Sequence, residues 1–274
     1  MSSEHAVLGI VGSPNRSGRT NKMVSAVLEG AARKGAPTEI VHLADHVVAA
    51  CRDCLPWVCQ DNRKCTYEDE AFETLSQKIL NCGALVLGTP VYWWDTSGMV
   101  KYLILKMFRV FARPAPLQGL TALGIAVAGG TGNGLVSGLR PVYHFFQVMQ
   151  MRAMGPLPVT RFNFDTAVER AQGLGEEIAE RRQRAPFKSL EERLLWYDAL
   201  PYLTLNRFGE RRLLADLIVA ALPPKADPSI ARDLARADAL AAGGNEVESL
   251  TEIGRVYEAG VKAFEEQLSA HGGR

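Results

Sequence analysis

Cysteine is the residue type whose spacing first suggests chemistry. Four of the chain's five cysteines fall within "CRDCLPWVCQDNRKC", at Cys51, Cys54, Cys59 and Cys65, a C-x2-C-x4-C-x5-C pattern. In a reducing compartment, thiols this crowded point to a metal site or a redox device rather than to structural disulfides. Structural zinc usually draws on two close pairs separated by a longer arm. A run in which every gap is short matches the loops that wrap round an iron-sulfur cluster. The spacing therefore leaves three readings: a cluster of the 4Fe-4S kind, a zinc ion, or redox-active thiols. Pro56 and Trp57, in the second gap, are suited to shielding a cluster from solvent. Cys82, at the entrance to a strand, reads as a small buried hydrophobe.

Three further segments carry ligand-binding chemistry. "GSPNRSGRTNK", Gly12 to Lys22, places two glycines and the hydroxyls of Ser13, Ser17 and Thr20 just before a helix, with Arg16 and Arg19 available for charge. Free N–H groups at a helix start, with hydroxyls and arginines beside them, make a phosphate cradle. A capped strand-to-helix turn is the plainer reading. The loop matches neither Gly-Lys-Ser/Thr nor Gly-x-Gly-x-x-Gly spacing. "GTPVYWWDTSG", Gly88 to Gly98, sets Pro90 at a strand exit and Tyr92, Trp93 and Trp94 in a row. Adjacent aromatics cannot all face one core, so at least one is exposed or lines a site, where a flat ring would suit it. "AGGTGNG", Ala128 to Gly134, has four glycines in seven residues, as befits backbone approaching a ligand closely or a mobile loop.

These loops need a frame to bring them together. Apolar runs at Ala6–Val11, Thr38–Leu43, Ala84–Leu87, Thr121–Ala128 and Pro156–Val159 read as strands. Between and after them, helices are expected near 20–34, 68–80, 97–111, 139–151 and 166–182, the first closed by Gly35. Strands alternating with helices imply a doubly wound α/β fold with a five-stranded parallel sheet. In such a sheet, ligands sit at the carboxyl ends of the strands, where strand order reverses. The loops after strands one, three and four thus converge there, and the cysteine loop after strand two is expected on the same edge. Beyond Arg184 the pattern changes to about ninety residues of amphipathic helix broken at Pro223-Pro224 and Gly243-Gly244. The chain divides into a ligand-binding domain, 1–184, containing the cysteine loop 51–65, and a helical C-terminal extension, 185–274.

Composition narrows the partners. The 274 residues are 47% hydrophobic and 22% charged with a formal net charge of +1, an ordinary globular balance with no basic block to attract nucleic acid or anionic membrane. The first apolar run is too short for a signal-peptide core, and the other apolar runs fall short of a membrane span, so a cytoplasmic protein is expected. No Ser/His/Asp elbow or paired-carboxylate motif favours a hydrolase.

A phosphorylated, flat, aromatic cofactor lying across the sheet edge is naturally FMN. The three loops, in this order and spacing, resemble the NADPH-dependent FMN reductase group of flavodoxin-like proteins. With the cysteine cluster, the sequence resembles that group's iron-sulfur flavoprotein branch, over about residues 5 to 183. The resemblance implies a sheet of order 2-1-3-4-5. It implies that Ser13, Ser17, Thr20 and Asn21 bind the FMN phosphate. Pro90, Val91, Tyr92 and Trp93 would flank the ribityl chain and ring, and Gly129 and Gly130, on the loop that ends at Gly134, would approach the ring. Asn15 stands where the family commonly has Arg, a charge that Arg16 or Arg19 would replace. The implied activity is electron transfer from NAD(P)H or a ferredoxin-like donor protein to a small acceptor: a quinone, nitro compound or unsaturated substrate. A plain FMN reductase with zinc on the cysteines, and a non-catalytic electron carrier or redox sensor, are the other readings. A homo-oligomer is expected.

Overall fold

The computed structural model describes residues 5–55, 58–223 and 226–270. The first half of the chain runs β1 (Val7–Val11), α1 (Arg19–Arg33), β2 (Thr38–His42), α2 (Val58–Asn62), α3 (Glu70–Asn81), β3 (Ala84–Tyr92), β4 (Asp95–Thr96) and α4 (Gly98–Phe111). It continues through β5 (Thr121–Ala128), α5 (Leu135–Val148), β6 (Arg152–Ala153), β7 (Leu157–Thr160) and α6 (Phe164–Glu180). Four more helices follow: α7 (Leu190–Asp198), α8 (Arg207–Ala220), α9 (Ser229–Ala242) and α10 (Glu246–Ala270).

The sheet order is β2-β1-β3-β5 with β6 at the edge, and β7 also pairs with β5. All of these pairings are parallel. This is the flavodoxin-like doubly wound order. The fifth strand comes in two pieces because Gly155-Pro156 interrupts it, proline offering no N–H to the ladder.

Period-two alternation divides the core between the sheet's two faces. Val7, Val11, Ala84, Val86, Leu123 and Ile125 pack with α1 and α6. Leu8, Ile10, Leu85, Leu87, Ala122 and Ala126 pack with α3, α4 and α5. Tyr143 of α5, fully buried, ties the two strand segments after β5 into place. Its hydroxyl donates to Met154 O at 2.9 Å and accepts from Gly124 N at 3.1 Å.

Helices α1 and α6 cross with their backbones nearly touching. A Cβ added at Gly175 would stand 1.9 Å from the Val27 carbonyl oxygen. Gly175→Ala gains about 1 kcal/mol of helix propensity, yet it must push two backbones apart, an overpacking cost of about 1–3 kcal/mol or more. A lower urea midpoint than wild type is therefore expected; a higher one would mean the helices separate freely.

Three features differ from the sequence reading. β3 does not stop at Leu87: it runs on to Tyr92, and β4 returns antiparallel to it, pairing Val91 with Thr96 and Tyr92 with Asp95. Pro90 is thus inside a strand rather than at its exit, tolerated because β1 has already ended opposite Gly88. α5 starts at Leu135, not Leu139, directly after Gly134, whose φ of +85° only glycine adopts cheaply. α2, a short turn of helix inside the cysteine loop, was not expected.

Helices α8, α9 and α10 share a small core of Ala215, Ile230, Leu234, Ala237, Ile253 and Val256. The extension also grips the sheet. Trp196 Nε1 donates to Ala153 O at 2.8 Å and Tyr197 Oη to Met151 O at 2.7 Å, while Arg152 lies against the Phe187 and Trp196 rings. The edge strand β6 is therefore covered rather than left open for pairing. Pro224, one of the expected breaks, lies outside the described residues. No helix among the described residues is long and apolar enough to cross a membrane.

Candidate functional site

At the carboxyl edge of the sheet, the loops after β1, β3 and β5 are joined by hydrogen bonds. Gly12 N donates to Gly88 O at 2.8 Å, and Ser97 Oγ donates to Gly12 O at 2.7 Å, linking the first loop to the second. Ser137 Oγ donates to Trp94 O at 2.7 Å, linking the second loop to the first turn of α5, directly after the third. Ser97 and Ser137, which the sequence reading did not single out, are the staples. Ser97 left a capping signal, since it starts α4 and accepts from Val100 N.

In the first loop, Asn15 acts as organiser. Its side-chain oxygen accepts from both the N–H and the hydroxyl of Ser17, each at 3.1 Å, and its own N–H donates to the buried Ser13 Oγ. No side chain caps α1, whose boundary residue is Gly18, so the N–H groups that open it near Arg19, Thr20 and Asn21 keep their capacity to meet an acceptor. Uncapped N–H groups beside hydroxyls are what a phosphate requires. Neither arginine stands over them alone. Arg16 pairs with Asp45, and Arg19 lies over the Phe164 ring, 5.8 Å from its centroid.

The second loop is a tight hairpin turn with Trp93 and Trp94 at its tip, at φ +52° and +58°. Two-residue hairpin turns favour positive φ, but bulky side chains there are strained, and such strain gathers at functional sites. Trp93 is 89% exposed, Tyr92 is half exposed, and the two indoles meet edge to face at 5.6 Å. Val91 turns inward against Gly138 and Gly134 of the third loop and α5.

Gly129 and Gly130 face open space, since a Cβ added at either would meet nothing within 4 Å. With FMN placed as the resemblance implies, Gly129→Val should leave the flavin-free fold's unfolding midpoint unchanged while lowering FMN affinity about tenfold or more, because the new side chain fills the room the backbone leaves. Fluorescence titration with FMN reads this directly. The rest of the third loop is held from outside the sheet. Tyr257 Oη of α10 donates to Thr131 O at 2.7 Å, Arg161 Nε donates to Gly130 O at 3.1 Å, and Arg161 pairs with Glu265.

The four clustered cysteines line a single cavity of about 50 Å³, together with Arg52, Tyr67, Lys106, Arg109 and Val110. Cys59 is buried and the other three are half-buried, all as free thiols. Burial pushes the Cys59 thiol up, and Arg109 opposes this, while the nearby sulfurs of Cys51 and Cys54 add to the rise. Among the described residues, no three His, Cys, Asp or Glu side chains converge on a point that would hold one metal ion. Pro56 and Trp57 lie outside the described residues.

Two buried cations face these thiols from α4. Lys106 pairs with Asp69, both about 5% exposed or less, and Arg109 pairs with Asp53, between Cys51 and Cys54. Asp69 also caps α3 through Phe72 N at 3.1 Å and accepts from Ala49 N at 3.0 Å, pinning the start of the cysteine loop. These cations were legible in principle, since Lys106 and Arg109 interrupt the apolar stripe of Leu103, Met107 and Val110.

The expected placement of the thiols beside the flavin loops needs correction. Lys106 and Arg109 lie in the second half of α4, roughly 12 Å or more along its axis from Gly98, at the carboxyl edge of the sheet. The cysteine loop instead packs along α4, Cys59 Sγ lying 3.6 Å from the Arg109 carbonyl oxygen and Asp53 pairing with the Arg109 side chain.

Comparison with known proteins identifies the family. A family model described as NADPH-dependent FMN reductase matches residues 6–169, more than half of the chain. An iron-sulfur flavoprotein of Methanocaldococcus jannaschii is 27% identical over 64% of this chain and 95% of its own. One from Archaeoglobus fulgidus is 27% identical over 63% and 78% respectively. Among solved structures, an NAD(P)H:quinone oxidoreductase from Methanothermobacter marburgensis superposes with TM-score 0.51 at 16% identity, covering 64% of this chain and 96% of that one. A flavone reductase superposes with TM-score 0.52 at 19% identity, covering 65% of this chain and 62% of that one. At such identities the two structures speak to the fold alone.

Proposed function

Because the chain belongs to the NADPH-dependent FMN reductase family and is a flavin-dependent oxidoreductase, we propose that it moves electrons from NAD(P)H or a ferredoxin-like donor to a small electrophilic acceptor, with FMN at the sheet edge and an iron-sulfur cluster on Cys51, Cys54, Cys59 and Cys65. The observation that carries the cluster reading is that four thiols spread over fifteen residues line one cavity beside two buried cations. The names of the similar archaeal proteins support it.

The donor types suit both groups, the four thiols lining one cavity though not converging on a single point. The uncapped start of α1 and the hydroxyls of Ser13, Ser17 and Thr20 would hold the phosphate, and the open faces of Gly129 and Gly130 would admit the ring. Arg109 would offset part of the charge of the Cys59 thiolate, while Lys106 is already neutralised by the buried Asp69 carboxylate. When bound, FMN supplies hydride acceptance and single-electron release, and a cluster supplies one-electron transfer. Hydride chemistry needs no protein nucleophile, consistent with the absence of one from the sequence motifs. With a quinone acceptor the balance is NAD(P)H plus one proton plus quinone giving NAD(P)+ plus hydroquinone.

Anaerobic steady-state assays with NADH or NADPH and a naphthoquinone test the proposal. The expected result is one dinucleotide oxidised per quinone reduced. Reduction by a reduced ferredoxin alone, without multiple turnovers, would make the chain an electron carrier instead.

A further inference from the structure

The helical extension builds a second cavity against the flavin edge. It measures about 740 Å³, within the range of small-molecule sites. One wall comes from the family domain: Trp94 at the hairpin tip, Asn133 in the third loop, and Ser137 and Arg140 on α5. The other wall comes from α8 and the segment before it, including Arg207, Glu210 and Arg211.

Three arginines therefore line this cavity against one carboxylate, in a chain whose overall charge is close to neutral. The carboxylate of Glu210 is engaged with backbone, accepting from Val136 N at 2.9 Å. Arg140 is fixed by two carbonyls, its Nε donating to Leu203 O at 2.8 Å and its Nη2 to Leu205 O. Carbonyl partners orient a guanidinium without neutralising it. Arg207 and Arg211 stand one turn apart on α8, both exposed, and among the described residues neither they nor Arg140 enters an ion pair. By contrast the neighbouring Arg212 is paired to both Asp216 and Asp238.

We propose that this cavity binds the acid group of a planar acceptor, so that the extension selects for substrates bearing a sulfonate, carboxylate or phosphate on a flat ring. Arginine's fork suits such groups, and the exposed face of Trp94 offers a surface for the ring. The cavity touches the second and third flavin loops through Trp94 and Asn133, so a molecule anchored by its acid group extends its ring toward the flavin edge. This assignment rests on the electron-transfer reading above for what the ligand does, but not for whether it binds.

The test uses the full chain and two probes with the same ring: 1,4-naphthoquinone-2-sulfonate and uncharged 2-methyl-1,4-naphthoquinone. Binding is followed by isothermal titration calorimetry, and turnover with NAD(P)H is followed separately. In the double variant Arg207→Ala, Arg211→Ala, affinity and 1/KM for the sulfonated quinone should fall about tenfold or more, with the uncharged quinone and kcat unchanged. Arg207→Lys, Arg211→Lys should recover part of the loss. Equal loss for both quinones, no loss for either, or no saturable binding of the sulfonate to wild type would each overturn the assignment. Absence of flavin or of turnover, with the charge-selective binding intact, would instead count against the electron-transfer reading alone.

Discussion

Replacing Asp69 by Ala is expected to lower the unfolding free energy by about 3–5 kcal/mol, the cost of leaving one partner of a buried ion pair uncompensated. The partner is Lys106, whose ammonium group lies about 4% exposed beside the Phe72 ring. The same change removes the cap of α3 and the acceptor for Ala49 N, so the cysteine loop loses its upstream anchor together with the pair. Urea denaturation reads the loss, and a cost below about 1 kcal/mol would mean that Lys106 reaches water. Asp69→Asn with Lys106→Met should recover much of it, because the buried charge is then gone.

The same carboxylate has a pH signature. Burial alone would raise its pKa, but the Lys106 hydrogen bond and the N–H groups of Phe72 and Ala49 outweigh that and hold it below the usual carboxylate range. A lowered folded-state pKa means that the stabilisation is fully present above the unfolded-state value, near pH 4, and is lost as pH falls through the folded-state value. The stability gap between wild type and Asp69→Asn should therefore be constant at neutral pH and shrink below about pH 4.

For the proposed cluster, Cys59→Ser is expected to cut bound iron from about four per chain to less than one while leaving FMN in place. Cys59 is the buried member of the thiol set, held on α2 with its sulfur 3.6 Å from the Arg109 carbonyl oxygen. Serine has nearly its size, so the fold should persist and the loss should appear in iron and sulfide analysis rather than in the unfolding midpoint. Undiminished iron in this variant would remove Cys59 from the ligand set. Cys82→Ser is the contrasting control. Its thiol, pushed up to about 12 by burial at the start of β3, lies apart from the cavity lining, and its replacement should leave iron unchanged.

The sheet was legible in the sequence because strands covered on both faces are continuous apolar runs, and Thr121–Ala128 emerges with both ends as read. The hairpin was not, because Gly88, Pro90 and two adjacent tryptophans carry loop signals, while what makes them strand and turn is pairing across Val91 and Thr96. The early start of α5 was hidden by the four glycines ahead of it. For the candidate site, the loops that converge were recognisable from local chemistry. The location of the thiols was not, because fifteen residues of loop can reach either the flavin edge or the flank of α4, and the choice depends on Asp69, Lys106 and Arg109, distant in sequence. Arg16 and Arg19 illustrate the same limit: their charge was visible, but their engagement with Asp45 and Phe164 is tertiary. The contacts of α8 with the start of α5 and of α10 with the third loop likewise depend on Glu210 and Tyr257, which carry no motif.

The most direct test of whether one chain carries both a flavin and an iron-sulfur cluster is to quantify FMN, iron, acid-labile sulfide and zinc on a single anaerobically purified sample. About one FMN with about four iron and matching sulfide per chain is the expected result. About one zinc per chain with no iron, or a chain that takes up no FMN, would contradict it.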